Sequence, residues 1–136
     1  MNSKVSNDLG LHETDRAEIT VVMDNYTDAL LVSTDVAKRA STRPQTPLAE
    51  HGLSMLIRVF RGAEAHAILF DAGWSDIGVP FNLRLFGINV SEIEAIVLSH
   101  GHMDHFGALM EILKVRKGVP LVLHPDAFTA PRGLRL

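Results

Sequence analysis

Ala95-Ile96-Val97-Leu98-Ser99-His100-Gly101-His102-Met103-Asp104-His105 passes from an apolar tetrapeptide straight into three histidines and an aspartate within six positions. The short apolar run with β-branched Ile96 and Val97 predicts a buried strand over Ala95–Leu98. The polar cluster then lies on a loop at that strand's carboxyl end. If the loop is locally extended, His100 and His102 converge on one cation, while Asp104 and His105, past the bend, address a second. Three of the chain's seven histidines fall inside this window, so metal binding, and a dinuclear site in particular, is the first expectation.

Working outward, Phe106, Leu109, Met110 and Leu113 form an apolar stripe that predicts one helix, ending near Lys114, Arg116, Lys117 and Gly118. Pro120–Leu123 reads as a last strand, and His124, Pro125 and Asp126 as a turn. Upstream, Ser91–Glu94 is a turn, and Val79–Phe86 a short helix stopped by Gly87 and Asn89. Leu53–Phe60 and Ala65–Phe70 suit a hairpin with a longer turn between them, after which come Asp71, Ala72 and Gly73. Ile19–Met23 is a strand closed by the turn formers Asp24 and Asn25. Between it and the hairpin, Ser33–Gly52 is polar, holds Pro44 and Pro47, and reads as a long surface loop of the kind that often carries function. Residues 1–18 are expected to be a flexible lead-in, and 19–136 a single domain of class α/β (α+β), a mixed β-sheet flanked by helices.

Composition narrows the chemistry. With 136 residues, 46% of them hydrophobic, the chain can close a core of its own. A formal charge of -3 with scattered Lys and Arg, and only six Phe, one Trp and one Tyr, argues against a nucleic-acid surface. No apolar run approaches the roughly 18 residues needed to cross a bilayer, and the first residues lack a signal-peptide core, so no membrane is expected and the cytoplasm is the default location. There is no cysteine. Any metal is therefore held by imidazole and carboxylate, which favours zinc, with iron or manganese as alternatives.

Two such ions sharing a water lower its pKa and aim it at a carbonyl or phosphoryl centre, so hydrolysis of a small-molecule substrate is the natural reaction. Asp104 can ligate and also hold the attacking water, which makes it the candidate catalytic residue; a plain helix cap is the alternative. Glu50 and His51 stand between the polar loop and a strand, where substrate or solvent equally accounts for them. His124 is a candidate neighbour of the metal loop or a solvated side chain, and His12 and His66 receive no role.

The strand–loop–helix context together with HGHMDH at His100–His105 resembles the metallo-β-lactamase superfamily, whose hallmark is HxHxDH after a buried strand. LFDAG at Leu69–Gly73 resembles the superfamily's first motif. AEHGLSMLI at Ala49–Ile57, LSHGHMDHFGAL at Leu98–Leu109 and HPDAF at His124–Phe128 are similar to a subgroup of metal-dependent hydrolases and dihydropterin ribofuranosyl-aminobenzene phosphate synthases. The resemblance covers roughly Ile19 to Phe128 and implies the N-terminal half of an αββα sandwich. It further implies that His100 and His102 bind a first metal, that Asp104 and His105 bind a second, and that Asp71 supports the metal loop by hydrogen bonds. The family's remaining ligands lie in a second half, so the chain is expected to be a truncated form that is weakly active or inactive alone, able to self-associate through an uncovered sheet; a short protein that completes its site with a second subunit is the alternative. Three functions follow: a hydrolase of an ester, amide or phosphoester, a pterin-biosynthesis enzyme, and a catalytically incomplete metal-binding or interaction domain. A flavin-dependent electron-transfer role is conceivable for the superfamily, but nothing in this sequence supplies a flavin domain.

Overall fold

The structure, a computed structural model, describes residues 10, 12–40 and 44–128. The expectations for 1–9 and 11 of the lead-in, for 41–43 of the polar loop and for 129–136 lie outside the described residues.

Five strands form one mixed sheet in chain order: β1 (Arg16–Met23), β2 (Ser54–Arg61), β3 (Glu64–Phe70), β4 (Ile93–Val97) and β5 (Leu121–Val122). The first three pair antiparallel, and β4 and β5 add in parallel. Parallel neighbours need crossovers. Helix α1 (Gly78–Leu85) lies on the first, and the short helices α2 (Met103–Phe106) and α3 (Leu109–Val115) lie on the second. The α/β class with helices beside a mixed sheet is as the sequence suggests.

Several boundaries differ. β1 starts at Arg16, three residues before Ile19, because the ladder to β2 extends to Arg16↔Phe60. The hairpin strands reach Arg61 and Glu64, leaving a two-residue turn in place of the longer one expected. β4 begins at Ile93, inside the segment read as a turn; a 3-10 turn at Val90–Glu92 precedes it. α1 ends as the sequence indicates: Gly87 N–H donates to Arg84 O and Ile88 N–H to Leu83 O, closing the helix through a left-handed glycine.

The expected single helix after the histidine cluster is two. Gly107 and Ala108 donate their N–H groups to Gly73 O at 2.7 Å and Ala72 O at 2.9 Å, which ties the chain across to the β3–α1 loop and breaks the helical ladder. The buried stripe is also shifted. Ala108 and Ile112 are buried and Leu109 and Leu113 pack against them, whereas Met110 is 65% exposed.

Register explains the core. Leu56, Leu69, Ile96 and Leu121 stand in one row across the sheet, and with Val79, Leu83 and Ile112 of the helices they form one cluster. α1 and α3 therefore cover the same face. The alternate row of Ile19, Ile57, Ile68 and Ala95, and that of Val21, Met55, Phe70, Val97 and Val122, form the other face. Because β3, β4 and β5 run in parallel, their carboxyl ends share one sheet edge with the end of β1 and the start of β2. That edge receives Asp24–Asn25, Glu50–Gly52, Asp71–Gly73, the histidine loop and His124. Among the described residues no helix is long and apolar enough to cross a membrane.

Candidate metal centre

Asp71 organises the edge. It is fully buried with φ 57°, a left-handed conformation that aspartate tolerates better than most residues. Its Oδ1 accepts from Ser99 N–H at 2.7 Å, and its Oδ2 accepts from Ser99 Oγ at 2.7 Å and His105 Nδ1 at 2.7 Å. Its own backbone is fixed by Val97 O and Ser54 Oγ. One buried carboxylate thus binds both ends of the histidine loop, Ser99 and His105, to the carboxyl end of β3.

These bonds set the histidine tautomers. His105 donates from Nδ1 to Asp71, so its Nε2 carries the free lone pair and lies 3.5 Å from Asp104 Oδ2. Ser99 Oγ spends its proton on Asp71 and so accepts from His100 Nδ1–H at 2.9 Å, which leaves His100 Nε2 unprotonated. That atom faces His102 Nδ1 at 3.0 Å. Two nitrogens about 2.0–2.1 Å from one tetrahedral zinc stand roughly 3.3 Å apart, so the spacing fits a shared ion. The His100 ring centroid is 4.5 Å from that of His102 and 4.1 Å from that of His105. Burial, then the neighbouring imidazoles of His105 and His102, lower the His100 pKa against the opposing pull of Asp71 and Asp104. A neutral imidazole is the form that ligates.

The structure therefore brings His100, His102, Asp104 and His105 together, with Asp71 behind them. Among the described residues, however, no group of three or more such side chains has the spacing of a complete ligand set. The four fall into two contacting pairs, His100 with His102 and Asp104 with His105. Imidazole and carboxylate suit zinc, iron or manganese.

The other candidates part company. The Glu50 carboxylate accepts from Ser75 Oγ at 2.6 Å and Ser75 N–H at 3.2 Å, and Ser75 Oγ in turn accepts from the N–H groups of Ile77 and Gly78 at the start of α1. His51 reaches the centre: its Nε2 is 3.3 Å from Asp104 Oδ2, and its ring stands edge-on to Trp74 at 5.8 Å. His124 accepts from Asp126 N–H within its own turn. His66 pairs with Glu94, and His12 is exposed.

Sequence reading missed Ser99, Asn25, Trp74 and Asn82. Buried Asn82 on α1 donates to Val22 O and Leu48 O and accepts from Leu48 N–H, pinning the polar loop to the end of β1. An asparagine at the core face of a helix was the available signal. Ser99, next to the cluster, carried one too, since a hydroxyl directly after a buried strand needs a partner.

A sequence model described as Metallo-beta-lactamase superfamily matches residues 49–135. The 7,8-dihydropterin-6-methyl-4-(beta-D-ribofuranosyl)-aminobenzene-5'-phosphate synthase of Methanocaldococcus jannaschii is 41% identical over 80 residues, 58% of this chain and 27% of that protein. A probable metallo-hydrolase of Bacillus subtilis is 38% identical over 82 residues, 54% of this chain and 30% of its own length. Among solved structures, Rm3 metallo-beta-lactamase aligns with a TM-score of 0.42 and 25% identity over 54% of this chain and 27% of its own. The chain spans under a third of the length of these curated relatives.

Proposed function

Because this chain belongs to the metallo-β-lactamase superfamily, we propose that it carries the metal loop of a metal-dependent hydrolase, with His100 and His102 at one ion and Asp104 and His105 at a second. The observation that carries this reading is the pair of unprotonated nitrogens, His100 Nε2 and His105 Nε2, that Asp71 and Ser99 turn toward His102 and Asp104. Zinc is the proposed metal, iron or manganese the alternatives. When bound, the ions would supply a water of lowered pKa and polarise the bond to be cleaved. Asp104 holds the attacking water against an ester, amide or phosphoester of a small molecule.

Two protein donors per ion are fewer than the three or four of ordinary zinc sites, so the polypeptide by itself is expected to hold metal weakly and turn over slowly. The decisive comparison is wild type against His102→Ala under saturating zinc, assayed on a carboxylic ester, an amide and a phosphodiester. Metal-stimulated hydrolysis that His102→Ala lowers by two orders of magnitude or more supports the enzyme reading. A variant that binds less metal and loses stability, with no metal-dependent hydrolysis in either protein, would leave a noncatalytic metal-binding domain. The 41% identity with the M. jannaschii synthase favours a second reading, an enzyme of pterin biosynthesis using the same residues. Turnover of a dihydropterin precursor with none of the three simple substrates would select it.

A further inference from the structure

His51 Nε2 lies 3.3 Å from Asp104 Oδ2, the spacing of either a shared ion or a hydrogen bond. Asn25 separates the two. The Asn25 side-chain oxygen accepts from Gly52 N–H at 3.0 Å, which turns its NH2 group toward His51 Nδ1, 3.4 Å away. An amide NH2 only donates, so Nδ1 must be the unprotonated nitrogen and Nε2 carries the hydrogen. A ligating imidazole is arranged the opposite way: its remote nitrogen donates to an acceptor, as His105 does to Asp71 and His100 to Ser99.

We propose that His51 is a positioning residue that donates a hydrogen bond from Nε2 to Asp104, aimed by Asn25, and is not a metal ligand. The segment is built for this approach. Gly52 has φ 113°, and a Cβ there would meet Asp104 O at 2.1 Å, so glycine lets the His51–Gly52 backbone press against the start of α2. Glu50, held by Ser75, anchors the same segment from the other side, and the Trp74 ring flanks the imidazole. His51 thereby holds Asp104 Oδ2, the oxygen that also stands 3.5 Å from His105 Nε2, and so fixes the orientation of the whole carboxylate toward the ion or the water. This role rests on the reading of Asp104 as a ligand and water-holding group, whereas the tautomer does not.

Two measurements keep the parts separate. Long-range proton–nitrogen NMR of the metal-free protein reads the His51 tautomer; hydrogen on Nε2 is expected, and hydrogen on Nδ1 would overturn the proposal. Zinc is then added. A coordination shift at His100, His102 and His105 with none at His51 Nε2 supports it, and a coordination shift at His51 makes that residue a ligand and defeats it. In parallel, His51→Ala should weaken zinc affinity by about 10–100-fold, the usual effect of removing a group that supports a ligand. His51→Gln, whose amide can still donate to Asp104, should recover most of that loss. Equal affinity in wild type and His51→Ala would remove the positioning role. If no zinc binds at all while the tautomer stands as stated, the hydrolase reading fails and the Asn25–His51–Asp104 hydrogen-bond chain does not.

Discussion

Asp71 receives three hydrogen bonds on two oxygens, from Ser99 N–H, Ser99 Oγ and His105 Nδ1, in a site with no access to water. Asparagine has the same shape but offers a donor where the second oxygen stood. In Asp71→Asn the NH2 group faces Ser99 Oγ and His105 Nδ1, so His105 must move its hydrogen to Nε2 or leave a buried donor unpaired, at about 1–3 kcal/mol. The expected result is a folded protein with a lowered urea midpoint and zinc affinity reduced by about 10–100-fold, read by denaturation and by metal analysis after gel filtration. Unchanged metal retention would show that Asp71 serves only the turn. The histidine cluster was legible because its members stand next to one another, and Asp71 because it lies in the LFDAG motif on which the family resemblance rests. The partners of Asn25, Ser99 and Asn82 lie 27, 28 and up to 60 positions away, so the local signals at Ser99 and Asn82 show that a partner is needed without naming it.

At the level of elements, the sheet could be read from short apolar, β-branched runs bounded by turn formers, with errors of a few residues where pairing alone extends a strand, as at Arg16. The helix after the metal loop could not. Its letters support continuous helix, but a Cβ on Gly107 would meet Trp74 O at 1.8 Å, and Gly107 N–H is already committed to Gly73 O. Long-range hydrogen bonds outweigh helix propensity worth less than about 1 kcal/mol per residue. This fixes the sign of a substitution. In an unbroken exposed helix Gly107→Ala would stabilise by about 1 kcal/mol; here it should destabilise by about 1–3 kcal/mol, since the backbone of residues 73–74 must give way. Met110→Ala, at an exposed position that the sequence placed in the buried stripe, should stay within about 0.5 kcal/mol of wild type. Urea unfolding of both variants checks the two signs, and a stabilised Gly107→Ala would restore the single helix.

For the molecule as a whole, the two faces of the sheet have different fates. One carries Leu56, Leu69 and Ile96 under α1 and α3; the other presents Ile19 at 62%, Val21 at 52% and Val122 at 54% exposure around Met55, Ile57, Ile68 and Phe70. A continuous apolar face of this kind, bounded by the edge strands β1 and β5, drives association. The polypeptide on its own is expected to bury it against a second copy, with the sedimentation coefficient rising with protein concentration. Ile19→Lys together with Val21→Lys places two charges on side chains already half exposed, so the fold loses little while a dimer through this face would have to bury both charges unpaired. The double variant should sediment as a monomer with a urea midpoint close to wild type. A wild type that is monomeric at every concentration would mean that this face stays in water, and one whose dimer survives both lysines would mean that the copies meet elsewhere.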